Sequence, residues 1–274
     1  MPNRFHSIIL ILLILGSLVA CTNNRSTDQS TDKLETQREF DDREKVGLTI
    51  SAAASLKDAM EVIQHSYQEK HPEAELTFNF GGSGSLQQQI SNGAPVDLFL
   101  SADKEKFTRL VEEGIIAKTE GTDLLGNKLV LIVSKEKQSS LSSFQDLTKE
   151  EIDTISLGTP ETVPAGKYAK ELLEQIHIWK KINSKVVFAK DVRQVLSYVE
   201  TGNIDAGIVY KTDAMISDKV KIVATADPST HTPIIYPIGI IKGAKHYEDA
   251  KRFYNYLQSK ESMRVFKDYG FTIK

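Results

Sequence analysis

Leu48-Thr49-Ile50-Ser51-Ala52-Ala53-Ala54-Ser55 runs directly into residues 56–70, where Leu56, Ala59, Met60, Ile63 and Tyr67 fall at helical spacing. An apolar run of strand length that ends in small residues and turns at once into an amphipathic helix is the opening of a βα unit. The same event recurs down the chain. Residues 76–80 read as a strand, Gly81-Gly82-Ser83-Gly84-Ser85 as the junction and residues 86–92 as the next helix. Residues 97–100 form a third strand, and Asp103 is placed to cap a helix that ends at Gly114.

A second series starts at residues 128–133 and continues with a strand at 154–157, a turn at 159–166 and a helix to 176. It goes on with a strand at 186–189, a helix at 192–200 and a strand at 206–210. Alternation of this kind specifies an α/β protein with mainly parallel sheets, and its two series imply two lobes. The reading assigns residues 47–127 to the first lobe, 128–222 to the second, and 223–274 to a return segment that completes the first. Pro237 cannot donate to a ladder, so the strand at 234–241 is expected at an edge or a crossing. Residues 247–269 are expected to be helical.

The two ends of the sequence differ from this body. Arg4 and His6 precede the apolar run 8–15, and then come Gly16 and Ser17, the charged, apolar and small-residue zones of a secretory signal. The run is too short to span a bilayer. Leu18-Val19-Ala20-Cys21 then reads as a lipobox, which makes residues 1–20 a lipoprotein signal peptide and Cys21, the single cysteine of 274 residues, the acylated N-terminus. Residues 21–46 are dense in charge and poor in large apolar groups, a lipid-anchored flexible tether rather than a core. The expected location is extracytoplasmic, at the cell membrane through the lipid on Cys21.

Composition narrows the function. Lys and Arg number 34 against 37 Asp and Glu, and removing residues 1–20 takes away Arg4 and no acid, which moves the formal charge from −3 to −4. Nothing in that balance attracts a polyanion, so no nucleic-acid partner is expected. One cysteine supplies no internal disulfide, and neither Cys-x-x-Cys nor His-Glu-x-x-His occurs.

The informative positions are strand-to-helix junctions. Unpaired N–H groups and the helix dipole favour an anion there. Ala52-Ala53-Ala54-Ser55 and the Gly81 to Ser85 turn let a ligand approach the backbone, and Ser55 and Ser83 add hydroxyls. Val163-Pro164-Ala165-Gly166 puts proline where a missing N–H costs little and leaves the Ala165 N–H free. Asp191-Val192-Arg193 opens another helix, and Tyr210 ends a buried strand with a phenol. Each has a plainer reading: close packing at alanine-rich strand ends, a flexible glycine turn, an ordinary cap at Asp191, a core tyrosine. Their recurrence matters, because parallel sheets gather binding crevices at the carboxyl ends of their strands.

These junctions resemble a family. Ala52-Ala53-Ala54-Ser55-Leu56, Gly93-Ala94-Pro95-Val96-Asp97-Leu98-Phe99, Leu124-Leu125-Gly126-Asn127, Val163-Pro164-Ala165-Gly166-Lys167-Tyr168-Ala169-Lys170, Asp191-Val192-Arg193, Gly207-Ile208-Val209-Tyr210 and Tyr269-Gly270-Phe271-Thr272-Ile273-Lys274 are similar to the molybdate-binding solute-binding proteins of molybdate ABC transporters. The resemblance runs from about residue 48 to the C-terminus. It implies a two-lobed periplasmic-binding-protein fold of type II, with a hinge, closing on a tetrahedral oxyanion. It implies molybdate contacts from Ser55 and Ser83 by hydroxyl and N–H, from Ala165 and Val192 by N–H, and from Tyr210 by its hydroxyl. It implies an ABC-transporter permease as partner, a monomer, and no cofactor beyond molybdate or tungstate as ligand. The metal would be held only as the oxyanion. The chain departs from the family at Gly81, Gly82 and Gly84, where bacterial relatives often have Ala or Ser in this turn.

A sulfate-like or other tetrahedral oxyanion is the nearest alternative. A serine hydrolase using Ser83 is the enzymatic rival, since the glycine turn resembles a nucleophile elbow. Ser85 stands where that motif needs glycine, and none of His65, His71, His177, His231 and His246 lies at a strand end facing the turn. No Gly-Lys-Ser/Thr follows the turn, and Gln87 replaces the third glycine of a dinucleotide loop. An effector module of a regulator is disfavoured by the export signal. The protein is therefore expected not to be an enzyme.

Overall fold

The computed structural model describes residues 45–137 and 139–274. The signal peptide, Cys21 and the tether lie outside the described residues up to residue 44, and Val46 already opens the first strand.

Two mixed sheets organise the chain. The first contains β1 (Val46–Ala53), β2 (Ala74–Gly81), β3 (Leu98–Leu100), β4 (Ile116–Gly126), β10 (Ile235–Ile241) and β11 (Thr272–Ile273), in the order β11-β4-β10-β3-β1-β2. The second contains β5 (Leu129–Ser134), β6 (Ile155–Gly158), β7 (Val186–Ala189), β8 (Ala206–Tyr210) and β9 (Val220–Thr225), in the order β7-β6-β8-β5-β9. The strands β2, β1 and β3 are parallel, as are β7, β6 and β8. The remaining ladders, which involve β4, β5, β9, β10 and β11, are antiparallel. Parallel pairing thus holds in the half of each sheet fed by βα units, and antiparallel strands complete the rest.

The chain passes from the first sheet to the second at residues 127–128 and returns after β9, which reaches Thr225, past the residue 222 at which the sequence reading closes the second lobe. Each lobe is a sheet flanked by helices. In the first, α1 (Lys57–Lys70), α8 (Tyr247–Leu257) and α9 (Lys260–Asp268) pack together around Met60, Ile63, Phe253 and Leu257. The opposite face carries α2 (Ser83–Ser91) and α3 (Lys104–Glu112), which bury Leu86, Phe99, Phe107 and Leu110. In the second lobe, α4 (Pro164–Gln175) and α6 (Val192–Glu200) cover a sheet whose strand β5 is buried at every residue. That strand reads as a continuous aliphatic run because both of its faces are covered. The short α5 (Trp179–Ile182) and α7 (Lys211–Met215) follow α4 and β8.

Pro237 corrects one expectation. It lies in β10, an interior strand between β4 and β3, and not at an edge. The ladder shifts register between Tyr236 and Pro237, and such a bulge is the setting in which a strand interior accommodates a residue without an N–H. The Pro237 carbonyl still accepts the Ser101 N–H. The helical stretch at 247–269 is two helices, parted where Ser259 caps α9 by accepting from the Ser262 N–H. Asp103 caps α3 as expected, with its side chain on the Glu105 N–H.

The start of α4 is held against the end of β6 by direct backbone contact. A Cβ on Gly166 would stand 1.8 Å from the Gly158 carbonyl oxygen, and one on Gly158 would stand 2.3 Å from Val163 Cγ1. The helix that carries Ala165 is therefore seated with no space between it and the strand. Gly166→Ala is expected to cost about 1–3 kcal/mol through overpacking, read as a lower midpoint of thermal unfolding; an unchanged midpoint would contradict this packing.

Candidate functional site

All five residues singled out in the sequence line one small pocket. Ser55, Ser83, Ala165, Val192 and Tyr210 meet there with Ala53, Ala54, Gly81, Gly82, Ala102, Val163 and Pro164, around one narrow space. The first lobe contributes through β1, β2 and β3, the second through α4, α6 and β8.

Each contributor owes its place to local geometry. Ser55 sits in a single 3₁₀ turn, Ala54–Leu56, between β1 and α1, and is buried. Ser83 is the first residue of α2, after Gly82 in extended conformation, and is also buried. Ala165 is the second residue of α4, behind Pro164, so its N–H has no carbonyl one turn back within the helix. Val192 opens α6. The Asp191 side chain caps that helix on the Gln194 N–H, so it does not take up the N–H of Val192, a residue of the pocket lining. Tyr210 ends β8.

Tyr210 shows the most pointed anomaly. It is 1% exposed, and its hydroxyl has no hydrogen-bond partner. A buried phenol left unpaired costs free energy, and burial also pushes its pKa well above the ordinary value, so the group is a neutral donor. The serine hydroxyls differ. Ser83 Oγ accepts the Ala102 N–H at 2.9 Å, and Ser55 Oγ lies 2.9 Å from the Tyr236 hydroxyl. The Asn127 side-chain amide donates to that Tyr236 oxygen at 3.2 Å and to Thr212 Oγ1 at 2.9 Å, while Asn127 Oδ1 accepts the Lys128 N–H.

Three of these participants were not singled out from sequence. Ala102 lies at a third strand-to-helix junction, where Asp103 was recognised only as a cap. Tyr236 is masked by Pro237, which steered that strand away from the interior. Asn127 belongs to a motif of the resemblance, but its contacts depend on the crossing between the sheets.

The lining contains no charged side chain. Charges stand just outside it. Lys167 Nζ is 3.2 Å from Asp103 Oδ2 and 2.6 Å from Glu105 Oε2. Burial works against the Lys167 charge, but its bonds to Glu105 and Asp103 hold its pKa above the usual lysine value. Arg193 pairs with Asp58, and its Nε is 3.0 Å from Asp213 Oδ1. Burial pushes the Asp213 carboxyl up to about 7, with Arg193 opposing the rise.

The two lobes also meet through backbone. The Gly84 N–H donates to the Thr162 carbonyl at 2.9 Å, and a Cβ on Gly84 would stand 2.7 Å from Thr162 Cα. A Cβ on Gly82 would stand 2.7 Å from the Thr162 oxygen. The glycines in this turn therefore permit direct approach of the second lobe. Across the same cleft the Tyr168 hydroxyl donates to the Ala102 carbonyl at 3.3 Å.

Comparisons with known proteins agree with this architecture. Residues 48–272 match the family described as bacterial extracellular solute-binding protein. The chain is 52% identical over 268 residues to the putative ABC transporter substrate-binding lipoprotein YvgL of Bacillus subtilis, covering 97% of this chain and 98% of that protein. It is 37% identical to the molybdate-binding protein ModA of Haemophilus influenzae over 83% of this chain and 90% of that one. Among solved structures, the substrate-binding domain of a putative molybdenum ABC transporter from Clostridium difficile superposes with a TM-score of 0.64 at 45% identity, covering 83% of this chain and 99% of that domain. With its two sheets, the pocket at their strand ends and this sequence similarity, the chain belongs to the bacterial extracellular solute-binding proteins and is ModA-like among them.

Proposed function

We propose that the protein binds molybdate, or the isosteric tungstate, outside the cytoplasm and delivers it to an ABC-transporter permease for import. The unpaired Tyr210 hydroxyl inside a pocket of N–H and hydroxyl donors carries the reading, because that group lacks a partner that an oxyanion oxygen would supply. The relatives' names, molybdate-binding protein ModA and a molybdenum ABC transporter domain, support the same ligand.

The donor set suits a fully ionised oxyanion. A dianion removed from water needs its charge spread over several charge-assisted hydrogen bonds, and helix N-termini supply them without a fixed cation. The hydroxyls can act as donors. Asn127 Nδ2 donates to the Tyr236 oxygen, and in the arrangement where Tyr236 gives its own proton to Ser55 Oγ the Ser55 proton is available to the ligand. Ser83 Oγ accepts the Ala102 N–H and keeps its own proton available to a ligand. A protonated phosphate brings a donor for which these groups offer no dedicated acceptor. Sulfate shares the charge and shape of molybdate and differs in size, and it remains the second reading among tetrahedral oxyanions.

For Ser83 as a nucleophile the pocket offers no base, since its lining has no histidine, aspartate or glutamate. The proposal therefore includes binding without turnover. One chain supplies all the described lining residues, which supports a monomer as the working unit.

Titration calorimetry of the purified protein against molybdate, tungstate, sulfate and phosphate tests the ligand. Molybdate and tungstate are expected to bind, with sulfate and phosphate far weaker; a preference for sulfate would move the protein to the second reading. In the same assay Tyr210→Phe and Ser83→Ala are each expected to weaken molybdate about tenfold or more, since each removes a donor to a desolvated charge. Tyr236→Phe is expected to weaken it by a smaller factor, because it removes only the group that orients Ser55. Unchanged affinity in the first two variants would reject the site.

The anchor is proposed separately. Cys21 would carry a diacylglycerol that keeps the body at the membrane face, in line with the lipoprotein relative of Bacillus subtilis. Cys21→Ala is expected to shift the protein from the membrane fraction to the medium, and mass spectrometry finding unmodified Cys21 in the mature protein would refute lipidation.

A further inference from the structure

Asn127 begins a short chain of hydrogen bonds that ends in the pocket. Its Oδ1 accepts the Lys128 N–H at 2.8 Å, and because a backbone N–H can only donate, the other end of the side chain is the NH2 group. That group offers two protons and accepts none. It donates to Thr212 Oγ1 at 2.9 Å and to the Tyr236 hydroxyl at 3.2 Å. Tyr236 in turn lies 2.9 Å from Ser55 Oγ, and both residues are buried. Ser55 lines the pocket, whereas Asn127 and Tyr236 stand behind it. Burial pushes the Tyr236 pKa up, so the phenol keeps its proton.

That phenol proton needs an acceptor. The Asn127 side of the Tyr236 oxygen is taken by an incoming proton, and the nearby Tyr210 hydroxyl, with its ring centroid 5.8 Å from that of Tyr236, makes no hydrogen bond. Ser55 Oγ is the acceptor within reach, and a buried O–H left without one costs free energy. We propose that Asn127 is a positioning residue for ligand specificity: by donating to Tyr236 it sets the direction of the whole chain, so that Ser55 meets the ligand as a donor and disfavours an oxyanion that still carries a proton. Asn127 thus acts on a ligand it does not touch. An acceptor in place of its NH2 group reverses every link. Tyr236 then donates toward residue 127, its oxygen accepts the Ser55 proton, and Ser55 turns a lone pair to the pocket. Asn127→Asp makes that reversal with almost no change of shape, and its carboxylate still accepts the Lys128 N–H.

The inference rests on the oxyanion-binding reading, and the experiment separates the two. Selenate and arsenate are titrated calorimetrically into purified mature protein, directly and by displacement of molybdate, at a mildly alkaline pH where both are dianions of similar size and arsenate alone carries a proton. The ratio of the two affinities cancels the charge that Asn127→Asp adds. Wild type is expected to prefer selenate, and Asn127→Asp to move the ratio toward arsenate by about tenfold or more, since a mismatched contact becomes a matched one. Tyr236→Phe cuts the chain and frees Ser55 to rotate, so it is expected to move the ratio the same way by about threefold. In the Tyr236→Phe background, adding Asn127→Asp is expected to leave the ratio unchanged, which marks action through Tyr236 rather than a general loosening of the pocket. If Asn127→Asp does not fold, Tyr236→Phe alone decides. Wild type that binds molybdate, with the wild-type ratio in either folded single variant or an equal shift from Asn127→Asp with and without Tyr236, would overturn the role of Asn127 alone. Wild type that binds no molybdate would overturn the oxyanion reading and this role with it.

Discussion

A strand that turns directly into a helix leaves backbone N–H groups with no carbonyl to meet, and here several such starts are buried against one small space. That condition organises the molecule. Ser83, Ala165 and Val192 each lie in the first turn of a helix, and the parallel half of each sheet directs those turns toward the cleft. The antiparallel strands add area to the sheets and contribute Tyr236 through β10, while Tyr210 ends β8, which pairs parallel with β6 and antiparallel with β5.

The lobes are brought to close contact by backbone as much as by side chains. The bond from Gly84 to Thr162 needs a turn without a Cβ, and the Gly158–Gly166 contact seats α4 so that Ala165 faces across. Charge is kept at the margin. Lysine and arginine approach the pocket but spend themselves on carboxylates, so the interior stays a set of neutral donors.

Much of this was readable in the sequence because strand ends, caps and small residues are local signals. The strand at residues 186–189, the helix at 192–200 and the strand at 206–210 have the same limits in the structure, and Asp103 and Asp191 cap as their residue types suggest. The five candidate residues were recognisable one junction at a time, and the structure brings them to one pocket. What escaped was set by pairing between distant segments. The long strand β4 is rich in charged and exposed residues and shows little periodicity, so it reads as loop until β10 and β11 pair with it. Pro237 suggested an edge because nothing local announces a bulge. Tyr236 reaches Ser55 over a separation of 181 residues, which no spacing rule could anticipate.

Asn127 lies where the chain first leaves one sheet for the other, and its amide holds Thr212 on one side and Tyr236 on the other. Thr212 belongs to the second lobe and Tyr236 to the first, so a single amide grips both at the place where the chain changes sheets. Tyr236 is also the phenol beside Ser55, so one continuous chain of hydrogen bonds ties that junction to a hydroxyl of the binding chamber.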